Sequence, residues 1–172
     1  FEFPHFKPDF SIDLLRSYNY ITHFFVARTS LVHEVGGFRK EYDGAQDYDL
    51  IFRCIEKANA VYHIPKVLYH WRMHPLSTAA NPKSKMYCYE AGQNAVQGNL
   101  DRSGIQGSVE LIGEPHWGCY YVNYKLNPQP LVSILIPNYE SKEVLERCIN
   151  SLFKVNTYKN FEVIIIENNS TS

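Results

Sequence analysis

Three aspartates lie within a short stretch of this 172-residue chain, and a pair of glycines precedes them. The aspartates are Asp43, Asp47 and Asp49, and the glycines are Gly36 and Gly37. A carboxylate beside a substrate hydroxyl can remove its proton as a general base, and carboxylates also ligate divalent metals. A single aspartate in the first turn of a helix, however, commonly caps free amides or stabilises the helix dipole. The elements that position the three side chains decide between these roles.

A helix is predicted over residues 45–58, so that Asp47 and Asp49 lie in its first turn. Its apolar residues recur at the spacing of one helical face. They are Leu50, Ile51, Cys54, Ile55 and Ala58. The glycine pair and the later pair of Asp43 and Gly44 predict turns before this helix, because glycine adopts backbone conformations that other residues avoid.

Shorter elements are predicted on both sides of this helix. A short helix capped by Ser11 comes first. Residues 20–27 are rich in apolar and β-branched side chains and predict a buried strand, in which His23 would be a hydrogen-bonded core residue. The remaining predictions are a helix over 29–35, strands over 61–64 and 67–71, a helix over 83–102, and strands over 109–112 and 119–124.

The last part of the chain has a different pattern. Residues 127–130, Asn-Pro-Gln-Pro, predict a linker. Two apolar runs, 131–137 and 161–166, flank an amphipathic helix over 141–153. This order predicts a βαβ unit with two buried parallel strands.

Composition excludes several classes of protein. The formal net charge is −1, so no overall field attracts nucleic acid or anionic membranes. No apolar run is long enough for a transmembrane helix. The four cysteines are spread along the chain without a Cys-x-x-Cys pair, which argues against zinc and favours a reduced cytoplasmic setting. The chain does not begin with methionine, and we expect it to be a piece of a longer protein.

The run from Gly36 to Leu50 resembles the acceptor-side half of glycosyltransferase family 2, whose members are inverting enzymes with a GT-A fold. There a Gly-Gly-Phe turn precedes an acidic pair at the start of a helix. The resemblance implies that Asp47 is the catalytic base. It also implies an acceptor-binding role for Gly36, Gly37, Phe38, Gln46 and Trp71, where Gln46 replaces the usual glutamate. Candidate polar groups on the same side are Asn19, Tyr20 and His23.

Two other segments resemble parts of the same family that bind the donor. Residues 69–79 are similar to a run that closes over the donor diphosphate, which implies donor-binding roles for Arg72 and His74. Residues 131–167 are similar to the start of the nucleotide-binding half. There the resemblance implies that Pro137 and Tyr139 line the nucleobase pocket and that Glu167, in place of an aspartate, contacts the base.

The resemblance implies an α/β fold made of Rossmann-like GT-A fragments joined by a linker. Residues 1–126 would be the C-terminal part of one domain, 127–130 the linker, and 131–172 the start of a second, nucleotide-binding domain. The parent enzyme would transfer a sugar from a nucleotide sugar to a glycan or lipid-linked acceptor in bacterial surface polysaccharide synthesis. It would need Mn²⁺ or Mg²⁺, but the Asp-x-Asp ligands have no fitting position in this chain, so no metal ligand is assigned.

The expected partners are therefore a nucleotide sugar and a glycan acceptor, with no nucleic acid and no transmembrane segment. Exposed sheet edges would allow a homodimer. The expected location is the cytoplasm or the inner face of the membrane. The chain alone is expected to be inactive, since its donor and acceptor halves come from different domains. Two alternatives remain open: a non-catalytic carbohydrate-binding fragment, and a metal-dependent hydrolase that uses Asp43, Asp47, Asp49 and His74.

Overall fold

The chain is of the α/β class and divides into two units. The computed structural model describes residues 4–72 and 86–171, and the division falls between Lys125 and Leu126. Whether the units correspond to the two glycosyltransferase domains implied by the resemblance stays a prediction. Each unit is described by itself.

The first unit contains four helices and a β-hairpin among its described residues. The helices are α1 (Ile12–Ser17), α2 (Thr29–Glu34), α3 (Gln46–Lys57) and α4 (Met86–Arg102), with a 3₁₀ turn at Lys40–Tyr42. The hairpin strands β1 (Gly107–Leu111) and β2 (Tyr120–Tyr124) are antiparallel, with Gly107 opposite Tyr124 and Leu111 opposite Tyr120. These helices and strands confirm the predictions for the same segments, apart from residues 83–85, which lie outside the described residues.

The core of this unit lies where α3 and α4 pack together, with α1 and the hairpin against them. Its fully buried apolar side chains are Leu15, Ile51, Phe52, Ala95, Val96 and Leu100. Burying a large apolar side chain contributes about 1.5–3 kcal/mol, so this cluster supplies much of the driving force for folding. Helix α1 begins as predicted, because the Ser11 hydroxyl accepts a hydrogen bond from the Leu14 amide at 3.3 Å.

Helix α4 approaches the hairpin closely at Gly92. A Cβ atom at this position would lie 2.0 Å from the hydroxyl oxygen of Tyr120, so no other residue fits without displacing that ring. The Tyr120 hydroxyl donates to the carbonyl of Tyr89, one turn earlier in the helix, at 3.1 Å. Helix and hairpin are therefore interlocked at this point.

A buried ion cluster joins α3 to the glycine turn that precedes it. The Asp49 side chain is fully buried and accepts hydrogen bonds from Arg39 Nε at 3.1 Å and from Arg53 Nε and Nη2 at 3.0 and 2.7 Å. Arg53 also donates to the carbonyls of Val35 and Gly37, the latter at 2.6 Å. Burial alone raises the pKa of Asp49, but the hydrogen bonds from the two arginines outweigh it and hold the pKa below the usual range.

Three predicted strands are absent from the structure. Residues 20–27, 61–64 and 67–71 have no regular structure. In the first of these segments Phe24 and Val26 are exposed. The Lys7 ammonium donates hydrogen bonds to the carbonyls of Ile21 and His23. Because those carbonyls bind a side chain, they are not paired with a neighbouring strand. The apolar pattern of this segment predicted a strand, but Phe24 and Val26 lie at the surface, whereas Tyr20, Ile21 and Phe25 pack into or against the core.

The second unit is the predicted parallel βαβ. Strands β3 (Val132–Asn138) and β4 (Phe161–Glu167) pair in parallel, with Val132 opposite Phe161, and α5 (Lys142–Val155) connects them. The prediction that the strands are buried is wrong for the residues the structure describes in this unit. Leu135, Ile164 and Ile166 are all exposed. Parallel strands bury their side chains only where both faces of the sheet are covered.

The ion cluster yields a stability prediction. Replacing Asp49 by asparagine should lower the free energy of unfolding of the first unit by about 3–5 kcal/mol, because it leaves the buried guanidinium of Arg53 without a counter-charge. Urea unfolding followed by tryptophan fluorescence measures this unit specifically, since Trp71 and Trp117 are the chain's two tryptophans and both lie in it. The loss should be complete above about pH 4, the ordinary aspartate value, and should shrink as the pH falls towards the lower pKa of the folded chain.

The matched control is Asp43→Asn, the same change at an exposed position of the neighbouring turn. It should change the free energy of unfolding by less than about 0.5 kcal/mol. Equal stabilities for the Asp49→Asn variant and this control would contradict the role given to the ion cluster.

Candidate functional site

Asp47 lies in the first turn of α3 and is held by two neutral donors. The Thr22 hydroxyl donates to its Oδ2 atom at 3.0 Å, and the Asn19 amide nitrogen donates to the same atom at 3.3 Å. The side chain is half-buried, and its Oδ1 atom has no hydrogen-bond partner among residues 4–72 and 86–171. The helix N-terminus favours the negative charge. This arrangement leaves one carboxylate oxygen available to accept a proton.

Asp47 and Asp49 do not form a metal-binding pair, although their spacing spells Asp-x-Asp. Residues two apart on a helix do not face each other, and both oxygens of Asp49 bind arginines. In the described part of the chain no group of three His, Cys, Asp or Glu residues could hold a metal ion. Asp49 is therefore unavailable as a ligand for the alternative hydrolase site, and His74 lies outside the described residues.

The glycine turn between α2 and α3 needs glycine for its backbone conformation. Gly36 and Gly37 have φ angles of 82° and 65°, in the left-handed region, where other residues cost about 1–2 kcal/mol each. A Cβ atom at either position would meet nothing within 4 Å, so space is not the constraint. Phe38 follows directly and is 67% exposed. The turn thus presents an aromatic face to solvent.

Gln46 has a local partner. Its Oε1 atom accepts a hydrogen bond from the amide of Gly44 at 3.0 Å, which closes the turn before α3. Gly44 has a φ of 90°, and a Cβ atom there would lie 2.5 Å from the Cys88 sulfur. Within residues 4–72 and 86–171 the side-chain nitrogen of Gln46 has no hydrogen-bond partner, so it can donate to a bound sugar, and the acceptor-binding role of Gln46 stays a prediction.

Four aromatic rings form an exposed surface, and two of them, His23 and Phe24, directly follow Thr22 in the sequence. The ring of His23 stacks on Trp71 with centroids 4.9 Å apart and lies 5.4 Å from Tyr69, while Phe24 stacks on Tyr69 at 6.0 Å. Trp71 is 66% exposed. His23 is therefore not the buried core residue that the sequence suggested. Aromatic faces at a surface commonly stack on sugar rings or other flat groups.

The polar candidates between α1 and α2 have different surroundings. Tyr20 is buried, and its hydroxyl accepts a hydrogen bond from the Ser11 amide at 2.9 Å, so it anchors the segment. Asn19 contacts Asp47 as described. Thr22 was missed by sequence reasoning, and only its position three residues after Asn19 could have pointed to it. Arg72, for which the resemblance implies a donor-binding role, is exposed.

The second unit has its own polar cluster where β3 and β4 end. Asn138 donates to Glu167 Oε2 at 2.7 Å, and Ser170 donates its amide to Oε1 at 3.3 Å together with its hydroxyl. The hydrogen bonds from Ser170 and then Asn138 hold the pKa of Glu167 below its usual range. Pro137 is the last but one residue of β3, and Tyr139 follows that strand and is exposed. Open parallel sheets bind their ligands here, beyond the carboxyl ends of the strands.

The loops that follow the carboxyl ends of β3 and β4 are hydrogen-bonded to each other. The amide of Glu140 donates to the Ser170 hydroxyl at 2.8 Å, and the amide of Thr171 donates to Glu140 Oε1 at 2.7 Å. The amide of Asn168 donates to the carbonyl of Asn138 at 2.9 Å. The carboxyl ends of β3 and β4 therefore form a preformed polar surface that carries a negative charge at Glu167.

Comparison with known proteins relates the second unit to a sugar-transferring family. The sequence model of Glycosyl transferase family 2 matches residues 133–172, which include β3 from Ser133 onward, α5 and β4. This part of the chain is thus similar to a fragment of a glycosyltransferase family 2 domain, in agreement with the resemblance seen in the sequence. No solved structure matches the chain.

Two curated relatives match nearly the whole chain. An uncharacterised protein, y4gI of Sinorhizobium fredii, is 42% identical over 168 residues, which are 96% of this chain and 18% of the relative. The O-antigen biosynthesis protein RfbC of Myxococcus xanthus is 37% identical over 168 residues, 98% of this chain and 13% of that protein. The chain therefore spans less than a fifth of the length of these relatives. No helix in the described ranges is long and apolar enough to cross a membrane.

The hydrogen bonds at Glu167 yield a prediction about its titration. Replacing Ser170 by alanine should raise the pKa of Glu167 towards the ordinary glutamate value, because the carboxylate loses its hydroxyl donor. A titration of the side-chain carboxyl carbon by nuclear magnetic resonance measures it. Ser141→Ala is the control, since the Ser141 hydroxyl donates to the Tyr139 carbonyl and not to Glu167. An unchanged Glu167 titration in the Ser170→Ala variant would refute this explanation.

Proposed function

We propose that the protein containing this chain is an inverting glycosyltransferase that builds surface polysaccharide from nucleotide-sugar donors. The observation that carries the proposal is the Asp47 carboxylate, oriented by two neutral donors and with one oxygen unoccupied among the described residues. The family 2 match and the printed name of the Myxococcus relative support it. The acceptor would be a glycan or a lipid-linked sugar.

The reaction is a single displacement at the anomeric carbon of the donor. The acceptor oxygen forms a bond to that carbon while the bond from the carbon to the diphosphate breaks. The nucleoside diphosphate leaves with the bonding electrons, and configuration inverts. Asp47 takes the proton of the acceptor hydroxyl, a contribution of about 10²–10⁴ in rate for general base catalysis.

The acceptor would lie between the glycine turn and the aromatic surface. Phe38 and Trp71 expose ring faces that can stack on a sugar, and Gln46 retains a donor for a hydroxyl. Gly36 and Gly37 allow the left-handed backbone of the turn that exposes Phe38. Arg72 and His74 are assigned to the donor diphosphate, where a guanidinium can bind two phosphate oxygens.

We assign nucleobase binding to the polar surface at the carboxyl ends of β3 and β4. Glu167 accepts three hydrogen bonds from within the chain, which leaves acceptor capacity at Oε2 for one N–H of a base. Pro137 and Tyr139 would supply the apolar wall and the stacking ring. This site would belong to a different domain of the parent protein from the one that contains Asp47.

A divalent metal would neutralise the leaving diphosphate in the parent enzyme. The described residues do not fit such an ion, because they contain no group of three suitable ligands. No step assigned to this chain therefore depends on the metal. Carbohydrate binding without catalysis is the second candidate, and the exposed aromatic surface favours it.

The base assignment is tested in the full-length protein. Asp47→Asn should lower turnover at least about a hundredfold and leave nucleotide-sugar binding unchanged, because the amide cannot take the acceptor proton. Release of nucleoside diphosphate from UDP-, GDP- and dTDP-hexoses with octyl glycoside acceptors measures turnover. Asp13→Asn is the control, another carboxylate in the first turn of a helix. Full turnover in the Asp47→Asn variant would eliminate Asp47 as the base.

The 172-residue chain alone should not transfer sugar. Proximity of the two substrates contributes up to about 7–11 kcal/mol to such a reaction, and residues 4–72 and 86–171 contain no group of three ligands for the metal expected beside the donor. The same assay with added Mn²⁺ or Mg²⁺ measures it. Pairing of two chains through the edges of the β3–β4 sheet is the route by which activity could return. Acceptor-dependent release that Asp47→Asn abolishes would overturn this expectation.

A further inference from the structure

The segment between α1 and α2 brings two side chains to the Asp47 carboxylate. Asn19 and Thr22 are 28 and 25 residues away in the chain, and both donate to Oδ2. The segment has no helix or strand, yet it is anchored on both sides of Thr22. Tyr20 is buried with its hydroxyl bound to the Ser11 amide, and Lys7 binds the carbonyls of Ile21 and His23. The two donors are therefore fixed relative to α3.

The orientation of the Asn19 amide is costly. Its Oδ1 atom is buried without a hydrogen-bond partner among the described residues. An unsatisfied buried acceptor lowers stability, because it has lost its hydrogen bonds to water and gained none in the folded chain. Rotating the amide by 180° would bring its oxygen against the carboxylate, which only accepts hydrogen bonds, so the Nδ2 atom must face Asp47. The chain thus accepts a loss of stability to keep this donor on the carboxylate.

Neither donor carries a charge. The carboxylate of Asp49, two residues further along the same helix, is held by two arginines instead. Asp49 is thus fixed as part of an ion cluster, whereas Asp47 is oriented through one oxygen while its second oxygen has no partner in the part of the chain that the structure describes. Orientation matters because a catalytic group displaced by about 1 Å can lose a hundredfold in rate.

We propose that Asn19 and Thr22 are positioning residues, which hold Oδ2 of Asp47 so that Oδ1 faces the acceptor hydroxyl and takes its proton. Thr22 fixes the rotation of the carboxylate from one side, and Asn19 adds a second donor to the same oxygen. This inference rests on the proposed function, since it needs Asp47 to be the base.

The first test uses Thr22→Val and Thr22→Ser in the full-length protein. Valine matches threonine in shape but lacks the hydroxyl, whereas serine keeps it. With UDP-, GDP- and dTDP-hexoses and octyl glycosides, Thr22→Val should lower kcat about tenfold or more and leave the donor KM within about twofold, because a hydrogen bond to a charged group is lost. Thr22→Ser should restore most of kcat. Equal kcat values for the valine variant and the unmodified protein would overturn the proposal.

A double variant separates positioning from general packing. If Thr22 acts through Asp47, Thr22→Val should add no further loss of kcat to Asp47→Asn, because groups that act as a unit are not additive. Losses that multiply would overturn the positioning role while leaving the base assignment intact. Full turnover of Asp47→Asn alone would instead refute the proposed function itself, so the two failures are distinguishable.

Asn19→Leu gives a measurement that does not depend on activity. The change removes both the donor and the buried, unsatisfied oxygen, so the unfolding midpoint should stay the same or rise. Asn99→Leu is the matched control. Asn99 is buried and bonded at both ends, accepting from Arg16 at 2.9 Å and donating to Glu56 at 2.7 Å, so its loss should lower the midpoint. A midpoint for Asn19→Leu as low as that of Asn99→Leu would show a merely structural role and overturn the proposal.

Discussion

The geometry of the first unit depends on the ion pairs that the buried carboxylate of Asp49 forms with Arg39 and Arg53. Arg53 reaches from α3 to the carbonyls of Val35 and Gly37, so one guanidinium fixes both the helix and the turn before it. A buried ion cluster of this kind adds little net stability compared with apolar packing. Removing one of its charged side chains, however, strongly lowers the free energy of unfolding. Its contribution is therefore mainly to place the turn, Phe38 and the first turn of α3 in one arrangement.

Two carboxylates in one helical turn thus have separate roles because their neighbours differ. Asp49 faces the protein interior and meets cations, while Asp47 lies on another face and meets a hydroxyl and an amide. The sequence spelling Asp-x-Asp alone does not distinguish this arrangement from a metal site. The helix period does, because it separates the two side chains by more than half a turn.

Sequence reasoning identified elements whose signals are local. The apolar stripe of α3, the Ser11 cap and the two apolar runs of the βαβ unit were found because spacing and capping act within a few residues. It failed over residues 20–27 and 61–71, where apolar composition resembled strands. Whether such a segment pairs depends on distant partners, and here Lys7 takes the carbonyls that a strand would need. Asp47 could be named from its motif, but the Thr22 contact depends on chain folding that no local pattern encodes.

The short separations within the ion cluster have a consequence for the order of folding. Asp49 lies 10 residues from Arg39, and Arg53 lies 16 and 18 residues from the two carbonyls it binds. Closing loops of this length costs little chain entropy, and local contacts form early in folding. The Arg16–Asn99 contact spans 83 residues, so by the same argument we expect it to form later. We therefore expect the segment from α2 to α3 to assemble first, so that the glycine turn is in place before the hairpin and α4 complete the core.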